Sequence, residues 1–158
     1  MTPTQQLAAL TATNVEIAYD NLTRQLYAND ASHYQIDPIA VAFPRDAHQA
    51  SAVIQAAGHA GMPVIPRGAG TGLVGGAIGD GLVIDFSRYN KLITHFDADK
   101  KTVRVGAGVV LDHLNNHLRS FGYGFGPDVA SSSRATLGGM IANNSSGAYA
   151  PVYGTTAD

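Results

Sequence analysis

The chain contains no cysteine. It can therefore form no disulfide, zinc–thiolate site, iron–sulfur cluster or thiol nucleophile from its own residues. Charge is also scarce. Ten lysines and arginines face twelve acidic residues, and charged residues make up 14% of the chain, against roughly 25% in an average soluble protein. The formal charge of −2 excludes a basic nucleic-acid binder, and the composition excludes an acidic disordered tail and a coiled coil. No apolar run approaches the roughly 20 residues of a membrane span. The opening MTPTQQLAALTATN has no basic segment leading into an apolar stretch, so no secretory signal is expected. What is present is 45% hydrophobic residues, enough for one core in 158 residues, and 18 glycines.

Those glycines all lie at position 58 or later. Clustering of this kind serves tight turns with positive φ, or a backbone brought so near a ligand that a Cβ would collide with it. Periodicity supplies the elements between the clusters. Residues 4–12 and 15–27 read as helices, the second with Val15, Ala18, Leu22 and Leu26 on one stripe and Asn14 as its cap. Ile39 to Phe43 reads as a strand ended by Pro44. Asp46 and Gln49 form a capping-box-like start to a helix striped by Ala50, Val53, Ile54 and Ala57, and Gly58 and Gly61 end it. Met62 to Pro66 is a second apolar run, so strand, helix and strand suggest a right-handed βαβ unit with parallel strands. Leu82 to Phe86 is another strand. Leu92 to Asp97 and Thr102 to Val105 flank the turn Asp97-Ala98-Asp99-Lys100 and read as a hairpin. Leu111, Leu114, Leu118 and Phe121 stripe a helix stopped by Gly122. Residues 122–158 read mostly as loop, with a short helix near Leu137 to Asn143.

The first glycine cluster reads PVIPRGAGTGLVGGAIG over 63–79. Gly70, Gly72 and Gly75 match G-x-G-x-x-G, yet the nicotinamide-type dinucleotide fold requires a helix directly after that loop. Here an apolar strand begins seven residues after Gly75, which leaves no room for one. A Walker A loop is absent because no Gly-Lys-Ser/Thr occurs. The loop still suits an anion. It follows a strand, holds seven glycines between 68 and 81, and carries one lysine or arginine, Arg67. Successive N–H groups in a glycine-rich turn make a concave nest for phosphate oxygens. Each bond to a charged group contributes roughly 1.5–3 kcal/mol, so four or five donors rival a lysine cluster.

A second stretch is nearly neutral. Residues 121–157 hold only Asp128 and Arg134 as charged side chains. Gly138 and Gly139 are expected to open a short helix with outward N–H groups, a second anion-ready end. Asn143, Asn144, Ser145 and Ser146 supply amides and hydroxyls suited to ribityl hydroxyls or a ring edge.

Taken together, PRGAGTGLVGGA at 66–77 and PDVASSSRATLGGMIANNSSGAYAPVYGTTAD at 127–158 resemble the FAD-binding (PCMH-type) domain of the vanillyl-alcohol oxidase flavoprotein family. The resemblance runs from about Asp30 to Asp158 and is nearest to the FAD-linked D-2-hydroxyacid dehydrogenases of D-lactate, glycolate and D-2-hydroxyglutarate type. It implies an α+β fold: a small parallel βαβ subdomain plus a mixed or antiparallel sheet with flanking helices. Residues 1–35 would form an N-terminal helical segment and 36–158 the N-terminal part of the FAD-binding domain, with its remainder and a substrate cap absent.

By position, the resemblance places Pro66, Arg67, Gly68, Ala69, Gly70, Thr71, Gly72 and Leu73 around the FAD pyrophosphate, with Gly75 and Gly76 in the return. It places Pro127, Ser131, Thr136, Gly138 and Gly139 beside the adenosine and phosphates. Ala142, Asn143, Asn144, Ser146 and Gly147 would approach the ribityl chain and flavin. Some relatives attach flavin through a histidine in the first loop. Thr71 stands there in this chain, so non-covalent FAD is implied. The implied activity is dehydrogenation of a small D-2-hydroxy acid to the 2-oxo acid. Electrons would leave to a quinone, cytochrome, partner flavoprotein or iron–sulfur module. Substrate-binding and acid/base groups would sit in the cap, so no catalytic residue and no metal ligand is assigned here. The implied location is cytoplasmic, or peripheral at the inner membrane for a longer protein, with no nucleic-acid partner.

Other features read as ordinary structure. His113 and His117 share a helix face but lack an intervening glutamate and a third ligand. Ser131, Ser132 and Ser133 lack a G-x-S-x-G elbow. Two further readings stay open at this level: a non-enzymatic module that uses the same loops for another phosphate or nucleotide, and a glycine-rich structural domain with no ligand.

Overall fold

The structure, a computed structural model, describes residues 2–158. The chain divides into two compact units, one ending at Tyr89 and the other running from Asn90 to Asp158.

The first unit is built on a four-stranded sheet. Its elements are α1 (Pro3–Thr11), β1 (Glu16–Ala18), α2 (Asn21–Tyr27), β2 (Ala40–Phe43), α3 (Ala47–His59), β3 (Val64–Arg67) and β4 (Leu82–Asp85). The strand order is β1-β2-β4-β3. β4 runs parallel to both β2 and β3, and β1 is antiparallel to β2. The expected strand–helix–strand unit is therefore present with parallel strands, but β4 lies between its two strands. β2 and β4 are buried along their whole length, which explains their unbroken apolar sequences: a strand covered on both faces has no polar alternation. Ala40, Ala42, Leu82 and Ile84 pack with Leu10, Val53 and Ala57 from α1 and α3. Val41, Phe43 and Val83 form a cluster on the alternate strand positions, flanked by Tyr27, Ile65 and Tyr89. α3 starts as expected. Asp46 Oδ1 accepts from the Gln49 N–H at 2.8 Å, and Gln49 Oε1 accepts from the Arg45 N–H at 2.9 Å.

The single helix expected over 15–27 is not formed. Asn14 takes a left-handed conformation, φ 57°, and residues 16–18 pair with β2, Glu16 opposite Phe43. Asp20 then caps a shorter helix by accepting from the Thr23 N–H. The stripe was misleading because its two ends do different work. Val15 is buried in the core, whereas Leu22 and Leu26 are exposed. An open edge of β2 and a strong N-cap at Asp20 outcompete continuous helix.

At the end of β4, the Asp85 carboxylate is buried. It accepts from the Tyr27 hydroxyl and from the Ser87 N–H, each at 2.5 Å. Burial first, then the bonded Asp85 carboxylate and its charge, push the Tyr27 hydroxyl far above the ordinary phenol range. Because the folded value is raised, this contribution to stability is complete below the unfolded value of about 10 and is lost as pH rises beyond it. Tyr27→Phe is expected to lower stability by about 1–3 kcal/mol at neutral pH, since a buried carboxylate loses a donor. It should also flatten the alkaline loss. Urea midpoints at pH 7 and pH 11 for both proteins check this.

The second unit holds β5 (Ile93–Asp97), β6 (Thr102–Val105), α4 (Leu111–Arg119), α5 (Leu137–Asn143) and α6 (Ala150–Tyr153). β5 and β6 form the expected antiparallel hairpin. Lys100 N–H donates to Asp97 Oδ1 in its turn. Leu111, Leu114 and Leu118 of α4 pack with Val109, Val129, Leu137 and Met140. Phe121, expected on the same stripe, lies past the helix end and is exposed, its ring 4.8 Å from that of Phe96. Helix α6, four residues long, falls in a region expected to be loop.

Candidate functional site

The first glycine loop leaves the C-terminal end of β3 and returns to β4. Among the described residues, no protein acceptor receives the main-chain N–H of any residue from Gly68 to Gly76. In a folded protein most main-chain donors are paired, so nine consecutive unpaired ones at a strand end form a row left for solvent or ligand. Gly70 and Gly75 take left-handed φ values of 67° and 75°, the backbone conformation found in anion-binding nests. Diphosphate oxygens, which only accept, match such a row. On that observation the loop fits the FAD pyrophosphate.

Arg67 does not stand free at the loop's mouth. Its Nη1 donates to the Ala77 carbonyl at 3.0 Å and its Nη2 to the Asn29 carbonyl at 2.8 Å. A Cβ on Gly70 would meet Nη2 at 2.8 Å. The loop's one guanidinium is thus turned onto the protein's own carbonyls.

Residues 29–34 back the loop, a role the sequence reading missed. Ala31 N–H donates to the Gly70 carbonyl at 2.9 Å, and Asp30 Oδ2 accepts from the Ala77 N–H at 3.4 Å. A Cβ on Gly75 would meet the Tyr34 ring at 3.0 Å. Burial works to raise the Asp30 pKa. Bonds from the Ser32 hydroxyl and N–H and from Ala77 N–H, with the Arg67 charge, outweigh it and hold the carboxyl below its ordinary value. The one available signal was Asp30-Ala-Ser32, a pattern that turns on itself when the carboxylate accepts from the N–H two residues on, as it does here at 2.8 Å.

In the second unit the stretch 127–147 is drawn together around α5. Thr136 is buried and caps α5, accepting from the Gly139 N–H at 3.4 Å. Leu137 N–H donates to the Val109 carbonyl and Gly138 N–H to the Ala107 carbonyl. The expected outward N–H groups at this helix end are therefore already occupied inside the protein. Gly138 is glycine for packing, since a Cβ would lie 2.8 Å from that of Ala107. Gly147 sits directly on the Asp128 carbonyl, which places it beside buried Pro127. The Ser131 carbonyl accepts from the Arg134 and Ala135 N–H groups in the turn before Thr136. Asn144 ends α5 in a left-handed conformation, φ 47°, and its Oδ1 accepts from the Ala157 N–H. Ala142, Asn143 and Ser146 are exposed.

His113 and His117 are exposed on α4. Among the described residues no group of three or more His, Cys, Asp or Glu could hold a metal ion. No helix among them is long and apolar enough to cross a membrane.

Residues 38–158 match the sequence model of a family described as an FAD binding domain. The chain is 42% identical over 134 residues to D-2-hydroxyglutarate dehydrogenase of Pantoea ananatis, covering 83% of this chain and 13% of that protein. It is 34% identical over 141 residues to glycolate oxidase subunit GlcD of Bacillus subtilis, covering 87% of this chain and 30% of that one. Among solved structures, alkyldihydroxyacetonephosphate synthase superposes with a TM-score of 0.85 at 23% identity, over 98% of this chain and 32% of the other. The chain thus spans about an eighth of the length of the D-2-hydroxyglutarate dehydrogenase it matches.

Proposed function

The chain belongs to the FAD binding domain family, and from that premise we propose that it is the FAD-holding part of a flavoenzyme that oxidises a small D-2-hydroxy acid to the 2-oxo acid. The observation that carries the reading is the row of unpaired main-chain N–H groups from Gly68 to Gly76. The main chain of the loop from Pro66 to Leu73, with Gly75 and Gly76 in its return, holds the diphosphate. Pro127, Ser131, Thr136, Gly138, Gly139, Ala142, Asn143, Asn144, Ser146 and Gly147 are further cofactor contacts. Residues 36–158 are the N-terminal part of the cofactor domain, and 1–35 are the segment before it. FAD, when bound, supplies the redox chemistry by accepting the hydride equivalent from the carbon that bears the hydroxyl. This chain's residues bind and orient it, without covalent attachment, because Thr71 offers no nucleophile comparable to histidine or cysteine. Substrate recognition and the acid/base groups lie outside this chain. A quinone, cytochrome, second flavoprotein or iron–sulfur module takes the electrons, in the cytoplasm or at the inner membrane face. The relatives' names, D-2-hydroxyglutarate dehydrogenase and glycolate oxidase subunit, support the substrate class.

Thermal melting of the full encoded protein tests this. FAD at a hundred times its Kd should stabilise the fold by about 2.7 kcal/mol. ADP should stabilise by less, and pyrophosphate by less again. No shift with millimolar FAD overturns the reading. Equal shifts with FAD, ADP and pyrophosphate point instead to a general phosphate-binding module.

A further inference from the structure

We propose that Asp30 and Arg67 are positioning residues that grip Ala77 through the two peptide groups on either side of its Cα and so hold the glycine loop's amides open, rather than contacts of the bound diphosphate. The inference rests on the reading of the loop as the FAD diphosphate site. Arg67 Nη1 takes the Ala77 carbonyl at 3.0 Å, and Asp30 Oδ2 takes the N–H of the same residue at 3.4 Å. The second guanidinium nitrogen takes Asn29 O at 2.8 Å, next to Asp30 in sequence. Ala31 N–H, next on the other side, takes Gly70 O at 2.9 Å. The two arms of the loop, at Gly70 and at Ala77, are therefore both tied to residues 29–31.

The guanidinium is itself supported. It lies 5.2 Å from the centre of the Tyr27 ring, and the Tyr27 hydroxyl is tied to buried Asp85. Gly70 leaves the space that the guanidinium fills. A direct phosphate ligand would point its donors at the ligand. Both terminal nitrogens of Arg67 instead point at carbonyls of the protein. An acidic side chain beside an anion site is unfavourable on charge alone. Asp30 makes sense there as an acceptor for Ala77, with its charge balanced by Arg67. Anion attraction is then left to the N–H row, which works only while its peptide planes stay aligned.

The test is a double-mutant cycle in the full encoded protein, read by quenching of flavin fluorescence on binding. Simple electrostatics says that Asp30→Asn, which removes a negative charge near a bound anion, tightens FAD. The clasp requires the opposite, a weakening of about tenfold, the usual size of a lost charge-assisted hydrogen bond. Arg67→Met should weaken FAD by a similar factor, and the double variant should be little weaker than the worse single one, because either change frees the same residue, Ala77. ADP affinity should fall by the same factors. Melting without ligand confirms that each variant is folded at the assay temperature, and Arg67→Lys replaces Arg67→Met in the cycle should the latter not fold.

Unchanged or tighter FAD binding by Asp30→Asn overturns the proposal, as do effects that multiply in the double variant. A parent protein that binds neither FAD nor ADP sinks the functional reading instead. The clasp is then judged by hydrogen exchange. The Ala77 amide should exchange faster in Asp30→Asn, and an unchanged rate overturns the clasp.

Discussion

Gly147→Ala is expected to unfold the unit from Asn90 to Asp158 at temperatures where the parent is intact. A Cβ at this position would fall on the carbonyl of Asp128. No rotamer change relieves that, because both partners are main chain. Asp128 cannot retreat without disturbing its neighbours, Pro127 and Val129, which are both buried. Val129 packs in the same core as Leu111, Leu114 and Leu137, so the strain reaches the helix packing of the whole unit. Overpacking against a fixed core costs roughly 1–3 kcal/mol and occasionally more. Main chain against main chain places this variant at about 3 kcal/mol or above. A unit of this size has a total stability of only a few to about 10 kcal/mol, so the melting temperature should fall by roughly 12 °C or more. Gly139→Ala is the matched control. Its Cβ would meet only the Thr136 hydroxyl at 3.3 Å, a crowding that a shift of a few tenths of an ångström relieves. Differential scanning calorimetry of the two variants and the parent decides the matter. A melting temperature for Gly147→Ala within about 2 °C of the parent would mean that 147 and 128 are not in contact in the folded protein.

That variant also shows what the sequence could and could not reveal. Elements set by local signals were legible. The Asp46 cap with its Gln49 partner, the apolar runs of β2 and β4, the β5–β6 hairpin and helix α5 all stand close to where spacing put them. Features set by distant partners were not. Glu16 to Ala18 became a strand because β2 offered an edge, and no local pattern around residue 16 carries that information. The two glycine stretches were recognised as special, but the reason differs from residue to residue. Gly138 and Gly147 were assigned to cofactor contact, whereas the structure gives each a close protein neighbour, Ala107 and Asp128. Gly81 likewise lies against the Pro63 carbonyl, where β3 and β4 begin to pair. A glycine's own sequence context does not say which backbone it must approach. The Asn29–Tyr34 backing was hidden for the same reason, since it meets the loop through contacts some forty residues apart in sequence.

Gly76, in the return of the first loop, has no protein neighbour that demands a glycine, and it gives the second large effect. A Cβ there would find no atom within 4 Å, and its φ lies outside the left-handed region that Gly70 and Gly75 occupy. Where alanine fits the native backbone, replacing glycine stabilises by about 0.4–1 kcal/mol, because the unfolded chain loses freedom. Gly76→Ala should therefore melt slightly above the parent when no ligand is present. On the proposed reading, position 76 belongs to the stretch of unpaired N–H groups that meets the diphosphate, so an added methyl stands between the two. Holding the ligand off one charge-assisted bond, worth roughly 1.5–3 kcal/mol, weakens FAD about ten- to a hundredfold, and Gly76→Val, with its wider side chain, weakens it further. Stability and affinity then move in opposite directions, a combination that neither global destabilisation nor a glycine kept for folding can produce. Melting curves with and without FAD, together with an FAD titration for parent, Gly76→Ala and Gly76→Val, give both numbers. Equal FAD affinity in all three would remove Gly76 from the binding surface and leave the return of the loop as a turn alone.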